Sequence, residues 1–196
     1  MLRNAMIVLA VLLSWRSVYA EAPAAASAPH VILETSLGNI EVKFFPEVAP
    51  KGCENFLTHV KDGYYDNTKF HRIVRGFVIQ GGDPTNLGNG GKSIWGDPFD
   101  VEASPDLLYD RPGLLAYANR GPKTNESQFF ITVAAAHHLD RKYTIFGEVV
   151  AGMDVVEKIN RVPLIPPDRP VEPPPMLLRA YVKPEATPIN GAPPVE

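Results

Sequence analysis

Two stretches decide the fold: FHRIVRGFVIQGGD, from Phe70 to Asp83, and NRGPKTNESQFFI, from Asn119 to Ile131. Both combine aromatic and aliphatic residues with amides, and the first contains Arg72. Neither offers a nucleophile paired with a base, or the ligand spacing of a metal site. A site built from these residues is suited to binding a ligand and removing water from it, and not to breaking a bond.

Both stretches contain an alternating pattern that predicts a strand with two different faces, because alternate residues of a strand point to the same side. Val78 and Gln80 share one face of the first strand, and Gln128 and Phe130 share one face of the second. If the strands are neighbours, that face combines two amides with two apolar groups. The opposite face would then send three apolar residues into the core: Ile79, Phe129 and Ile131. Amphipathic strands with merely solvated amides are the alternative.

The rest of the chain predicts short strands and two helices. Alternating apolar residues from Val31 to Phe44 predict a β-hairpin. A helix is predicted from Pro50 to Gly63, and a second from about Met153 to Asn160. A final strand is predicted from Met176 to Val182. Many short strands with only two helices favour a closed β-barrel.

The two quoted stretches closely resemble the signatures of the cyclophilins, the peptidyl-prolyl cis–trans isomerases. The resemblance covers roughly residues 30–183. It implies a mainly β fold, a closed eight-stranded antiparallel barrel capped by two α-helices. A barrel filled by its own side chains leaves no room for a ligand inside, so the site is expected on its outer face.

The resemblance also implies roles for individual residues and implies no cofactor and no metal. Arg72 resembles the essential catalytic arginine, and Gln80 resembles the amide that holds it. Seven residues resemble the proline pocket and the adjoining groove for the substrate backbone: Phe77, Val78, Phe130 and Leu139 in the pocket, and Ala118, Asn119 and Gln128 in the groove. Three further positions complete the expected substrate-binding set: His71, His138 and Tyr143.

The chain departs from the common pattern of the family at four places. His138 stands where tryptophan is usual, Tyr143 where histidine is usual, and Val78 where methionine is usual. Arg75-Gly76 replaces a turn that contains proline. Val78 is still apolar and Tyr143 still offers a ring and a donor, so we expect activity to be retained. Because His138 is smaller and more polar than tryptophan, we expect weak binding of cyclosporin.

Three basic residues in or near the two stretches predict a basic rim: Arg75, Arg120 and Lys123. Such a rim would favour acidic residues upstream of the substrate proline. The alternative is a few solvated charges with no role in specificity.

The first 20 residues predict a secretory signal peptide. Arg3 precedes a short apolar run from Ala5 to Leu13, and Val18-Tyr19-Ala20 fits cleavage after Ala20. A membrane anchor is the alternative. The run is shorter than the roughly 20 apolar residues that a span needs, however, and Arg16 interrupts it. We therefore expect no stable membrane insertion.

The rest of the chain is consistent with one exported domain. An Ala/Pro linker is predicted over 21–29, followed by the barrel domain over 30–183 and a disordered tail over 184–196. Cys53 is the only cysteine, so the chain cannot form a disulfide with itself. Export without a disulfide fits a bacterial periplasm, although other secretory compartments stay open.

The charge and the motifs together predict a function. A net charge of −3 gives no support to nucleic-acid binding, and we expect a monomer that binds proline-containing polypeptides. The predicted function is a prolyl isomerase that assists the folding of exported proteins by turning X–Pro bonds. A proline-binding chaperone or adaptor with little turnover is one alternative, and a structural barrel is another.

Overall fold

The computed structural model describes residues 29–184, which contain two helices, α1 (Pro50–Lys61) and α2 (Met153–Asn160). The strands are β1 (Val31–Thr35), β2 (Gly38–Phe44), β3 (Thr68–Lys69), β4 (Arg72–Val74), β5 (Val78–Gly81), β6 (Leu114–Tyr117), β7 (Phe129–Thr132), β8 (Ile145–Ala151), β9 (Leu164–Ile165), β10 (Arg169–Pro170) and β11 (Met176–Val182). The predicted signal peptide, and nearly all of the predicted linker and tail, lie outside the described residues.

Nine of these strands form one antiparallel sheet, in the order β3-β11-β1-β2-β8-β6-β7-β5-β4. The mainly β, antiparallel fold with two helices is therefore confirmed. The expected closed, eight-stranded barrel was overstated, because no ladder joins the edge strands β3 and β4 within residues 29–184. These strands have only two and three residues, and backbone groups within β4 and just after β3 bond to other segments. The Phe70 N–H donates to Pro175 O, and the Ile73 N–H to Asp168 O.

The interior of the curled sheet is filled with aromatic rings. Phe56 of α1 lies 4.9 Å from Tyr65, 5.4 Å from Phe129 and 5.2 Å from Phe146, measured between ring centroids. Tyr117 stacks on Phe146 at 4.4 Å. These five rings are all buried. The interior is therefore filled by side chains and not by a ligand.

Helix α1 is held at its beginning by a carboxylate from a distant loop. Ala49 gives the helix no side-chain cap. Instead, Glu102 accepts hydrogen bonds from the N–H groups of Lys51 (3.1 Å) and Gly52 (2.8 Å), two donors that have no partner inside the helix. A negative charge at this position is also favoured by the helix dipole.

The only cysteine lies on the buried face of α1. Its Sγ donates to the carbonyl of Phe146 at 3.3 Å, and burial raises the pKa of the Cys53 thiol to about 12. The thiol therefore stays protonated at neutral pH and packs as a small apolar group.

The end of α2 fixes the turn between β4 and β5. The Asn160 side chain donates to the carbonyls of Val74 (2.9 Å) and Val78 (3.3 Å) and accepts from the Gly76 N–H (2.9 Å). Gly76 has φ = +68°, in the left-handed region that favours glycine. One buried amide thus sets the geometry of the turn that leads into the site.

Arg75 belongs to this turn and not to a rim around the site. Its guanidinium donates to the carbonyls of Asn160 (2.5 Å) and Val162 (2.9 Å), at and beyond the end of α2. The expectation that Arg75 contributes to a basic rim was wrong, because these carbonyls hold the side chain towards α2.

Candidate active site

Neighbouring strands bring the two quoted stretches together. Arg72 on β4 lies opposite Gln80 on β5, Gln80 lies opposite Phe130 on β7, and Phe130 lies opposite Ala116 on β6. Residues opposite one another in antiparallel strands point to the same face. A row of four side chains therefore crosses one face of the sheet, beginning with the arginine.

The two faces of these strands divide as the alternation predicts. Ile79, Phe129 and Ile131 belong to the aromatic core inside the sheet. Val78 and Phe130 belong to a separate apolar cluster on the opposite face. The second face is where an apolar ligand can be received without disturbing the core.

A cavity of about 130 Å³ opens on this second face. It is lined by nine of the twelve site residues expected from the sequence: Arg72, Phe77, Val78, Gln80, Ala118, Asn119, Phe130, Leu139 and Tyr143. We call it the proline cavity. The expected residues that do not line it are His71, Gln128 and His138.

The floor of the proline cavity is apolar and largely closed to water. Val78, Phe130 and Leu139 are 2%, 5% and 8% exposed. The ring of Tyr143 meets Phe130 edge-on, with centroids 5.8 Å apart. A small apolar ring placed here would be removed from water on several sides, while Arg72 remains at the edge.

A chain of hydrogen bonds holds the polar groups of the site. Arg72 Nη1 donates to Gln80 Oε1 at 3.2 Å, and Gln80 Nε2 donates to Gln128 Oε1 at 2.9 Å. Gln128 Nε2 then donates to the carbonyl of Gly90 at 2.8 Å. Each amide is fixed in orientation by its neighbour along the chain of bonds. Gln80 therefore holds the Arg72 guanidinium through this hydrogen bond.

The second partner of the arginine is one that the sequence did not predict. Arg72 Nε donates to Asp168 Oδ2 at 2.7 Å. Asp168 lies between β9 and β10, 96 residues further along the chain. A guanidinium carries five N–H groups, so these two bonds leave others for a ligand.

Gln128 and its neighbours line a second cavity that continues the proline cavity. This space, of about 260 Å³, shares Gln80, Ala118 and Asn119 with the proline cavity. Gln128 lies in its wall, as does Arg120. The residues expected to form a groove for the substrate backbone are thus brought together along one continuous depression.

Asn119 ties two loops of the site to each other. Its Nδ2 donates to Asn125 Oδ1 (3.1 Å) and to the carbonyl of Lys142 (3.2 Å). Asn125 begins the sequence Asn-Glu-Ser, which has the form of an N-glycosylation site. It is fully buried and donates to Thr144 Oγ1 (3.1 Å), so this sequence is inaccessible in the folded domain. The Asn119 amide is committed to these bonds, and its contact with substrate remains a prediction.

The two histidines of the site lie outside the proline cavity. Both ring nitrogens of His71 are buried without a hydrogen-bond partner among residues 29–184. Burial lowers the pKa of the His71 ring from its ordinary value, which favours the neutral form. His71 lines a different depression together with Leu87 and Pro170. His138 is exposed, and its ring lies 5.2 Å from that of Phe77.

The described part of the chain offers neither a metal site nor a membrane span formed by a helix. Within residues 29–184, no group of three or more His, Cys, Asp or Glu side chains is placed to hold a metal ion. None of the helices in that range has the length and hydropathy needed to cross a bilayer.

Comparisons with known proteins identify the family of the chain. Residues 30–182 match the family described as cyclophilin type peptidyl-prolyl cis-trans isomerase/CLD. The chain belongs to this family and is a peptidyl-prolyl cis–trans isomerase of the cyclophilin type.

Relatives in several organisms are similar over about three quarters of the chain. Peptidyl-prolyl cis-trans isomerase ppi1 of Schizosaccharomyces pombe is 52% identical over 144 residues, covering 74% of this chain and 93% of that protein. The human peptidyl-prolyl cis-trans isomerase-like 1 is 50% identical, with 74% and 87% covered. The Arabidopsis thaliana peptidyl-prolyl cis-trans isomerase CYP71 is 54% identical over 73% of this chain, but the chain spans only 23% of that protein.

Solved structures show the same fold. A cyclophilin type isomerase from Cryptosporidium parvum has a TM-score of 0.78 and 38% identity, covering 81% of this chain and 99% of that one. A second structure of that protein, determined in the presence of the dipeptide Ala-Pro, has a TM-score of 0.76.

Proposed function

We propose that the proline cavity receives the proline ring of an X–Pro segment and that Arg72 acts on the prolyl nitrogen. The barrier to rotation about such a bond, about 18–20 kcal/mol, comes from delocalisation of the nitrogen lone pair into the carbonyl. An N–H of Arg72 that donates to this nitrogen draws the lone pair away from the carbonyl. The C–N bond then loses double-bond character and can turn.

The cavity and the polar chain each contribute to this reaction. Val78, Phe130 and Leu139 exclude water, which strengthens a hydrogen bond between charged Arg72 and the nitrogen. Gln80 and Asp168 hold the guanidinium in place before substrate arrives, so little reorganisation is needed at the transition state. A million-fold acceleration requires about 8 kcal/mol of transition-state stabilisation, which these combined effects can supply without a covalent step.

The observation that carries the proposal is the position of Arg72 at the edge of an apolar cavity, held by two partners. Turnover of an Ala–Pro peptide tests it, with Arg72→Ala as the site variant. Arg161→Ala is the control, since that arginine is exposed and its ion pair is with Glu157 on α2. We expect the control to retain activity and Arg72→Ala to lose most of it. Equal activity in both variants would refute the assignment.

A proline-binding chaperone or adaptor with little turnover is the second candidate. The apolar floor alone would be enough for such a role, because binding a proline ring needs no cation. Arg72 is held at the cavity edge by Gln80 and Asp168, which favours catalysis. Wild-type protein that binds an Ala–Pro peptide without accelerating its isomerisation would support the adaptor.

The clients of the enzyme are proposed to be exported proteins, in a bacterial periplasm. The support is the signal-peptide pattern of residues 1–20. Expression of the full chain, followed by fractionation and N-terminal sequencing, tests this proposal. A mature protein beginning near residue 21 and found outside the cytoplasm is expected. Retention of Met1 in the cytoplasm would contradict the proposal.

A further inference from the structure

A basic depression adjoins the proline cavity on the side of Tyr143. It has a volume of about 620 Å³ and shares Asn119 and Tyr143 with the proline cavity. No carboxylate of the described residues lines it. Three cationic side chains do: Arg120, Arg141 and Lys142. We call these three residues and the space between them the basic groove.

Two of the three cations are available to a ligand. Arg120 and Arg141 are exposed, and within residues 29–184 neither guanidinium has an ion-pair or side-chain hydrogen-bond partner. Lys142 Nζ donates to the carbonyl of His138 at 2.9 Å, which satisfies one of its three donors. The groove therefore presents two guanidinium groups with which no side chain of the described residues pairs directly.

The two walls of the basic groove are fixed relative to each other. Arg120 lies on the loop before β7, where its backbone N–H donates to Thr124 Oγ1 at 2.9 Å. Arg141 and Lys142 lie on the loop before β8. Asn119 joins these loops by donating to the carbonyl of Lys142 at 3.2 Å. The three cations thus lie on two loops that a hydrogen bond joins beside the site.

Two acidic residues near the basic groove offset only part of its charge. Glu126 lines the cavity on the other side of Asn119 and is absent from the lining of the basic groove. Asp140 precedes Arg141, but its carboxylate accepts hydrogen bonds from the Tyr109 N–H (2.7 Å) and His137 Nδ1 (3.1 Å). A net positive site remains on a chain whose overall charge is −3.

We propose that the basic groove binds Asp or Glu side chains of the polypeptide whose proline occupies the proline cavity. This inference rests on the proposed function. An extended peptide advances about 3.3 Å per residue, so a side chain two or three residues from the proline reaches the neighbouring depression. The substrates favoured by this enzyme are then acidic X–Pro segments.

The expected size of the preference for acidic peptides follows from the exposure of the cations. Pairs between exposed charges are individually weak and are screened by salt. Two such pairs together predict a preference of about three- to tenfold at low ionic strength. The preference should shrink towards unity at high ionic strength.

The test compares peptides that share an Ala–Pro core and carry Glu, Gln or Lys two or three residues before or after the proline. The measured quantity is the ratio of kcat/KM for each Glu peptide to that for its Gln counterpart, at about 0.02 M and about 0.5 M salt. The site variant is the double substitution Arg120→Gln and Arg141→Gln. The control is Arg161→Gln with Arg179→Gln, which changes the net charge equally. Arg161 follows α2, and Arg179 stacks on Tyr181.

We expect the wild type and the control to favour Glu over Gln, and Gln over Lys, at one or more positions at low salt. In the groove variant the Glu/Gln ratio should fall to about one. A ratio near one in the wild type at every position, or an unchanged ratio in the groove variant, would overturn the inference.

Failure of the groove assignment can be told apart from failure of the proposed function. If no peptide is turned over at all, the proposed function fails. If neutral and acidic peptides are turned over equally, only the role of the basic groove fails. A single-stranded oligonucleotide that competes with neutral peptides through Arg120 and Arg141, without any Glu preference, would assign the groove to nucleic acid instead and refute the inference.

Discussion

At the scale of single residues, the proposed isomerisation depends on the guanidinium of Arg72, which two other side chains hold in place. Arg72 is 42% exposed in its side chain, so it could sample several rotamers if it were unrestrained. Gln80 and Asp168 restrict it, and their bonds use Nη1 and Nε. Because arginine side chains carry about 2 kcal/mol of rotamer entropy, fixing one before substrate binds lowers the cost of using it at the transition state.

Asp168 should therefore act as a positioning residue. Asp168→Ala is expected to lower kcat about two- to fivefold with little change in KM, corresponding to about 0.5–1 kcal/mol for a partly exposed pair. Asp168→Glu should recover part of the loss. Glu172→Ala is the matched control, because Glu172 lies in the same segment but pairs with Lys69. An equal loss in control and site variant would show that the segment merely supports the fold.

The exposed position of His138 bears on inhibitor binding. Its ring lies 5.2 Å from that of Phe77, a residue of the proline cavity. Histidine offers a smaller surface there than the tryptophan usual in the family, so cyclosporin should inhibit weakly. We expect His138→Trp to improve inhibition by about tenfold or more in the isomerase assay, since about 1.4 kcal/mol of added contact is enough. Tight inhibition of the wild type, with no gain in the variant, would show this reasoning to be incorrect.

At the level of elements, local sequence patterns determine most of the structure. The hairpin β1–β2, the helix α2 and the strand β11 lie where the pattern predicts them, because each has a complete period of apolar residues within its own length. Helix α1 begins at Pro50 and ends at Lys61, followed by Gly63 with φ = +67°.

Helix α1 depends on a residue that its own sequence does not contain. Replacing Glu102 by alanine removes the acceptor for two N–H groups and a favourable charge at the helix start. We expect a loss of about 1 kcal/mol, or about 2–4 °C in Tm. Glu157→Ala, which removes an exposed pair with Arg161, should change Tm much less. Thermal unfolding followed by circular dichroism makes the comparison, and identical curves would rule out the capping role.

At the level of the whole molecule, β11 joins the edge strand β3 to the rest of the sheet. It pairs with β1 on one side and with β3 on the other, and it buries Leu177 and Ala180. A stop after Pro175 should abolish cooperative unfolding, because it opens the edge of β1 and exposes the core. A stop after Pro184 should leave Tm and activity unchanged. If both truncations unfolded the protein, residues 185–196 would have a packing role.

The sequence predicted the site more completely than it predicted what supports the site. Alternation within one strand places Val78 and Gln80 together, and nine expected residues meet in one cavity. Asp168 could not be found in this way, since no local period connects residues 96 positions apart. Arg141 was missed for the same reason, because loops converge only after the strands pair. Whether the sheet closes into a barrel depends on the edge strands β3 and β4. They have two and three residues, which is too short for a pattern of alternating apolar residues.

The central claim is that Arg72 stabilises the transition state of rotation more than it stabilises bound substrate. The direct measurement is kcat/KM and Kd for one Ala–Pro peptide, in the wild type and in Arg72→Ala, with Tm recorded for both. A charge-assisted hydrogen bond is worth about 1.5–3 kcal/mol, so kcat/KM should fall about ten- to hundredfold. Kd should change by less than about threefold, because the apolar floor that binds the ring is intact, and Tm should be unchanged. Near-wild-type turnover with an unchanged Tm, or a loss of binding equal to the loss of turnover, would contradict the account.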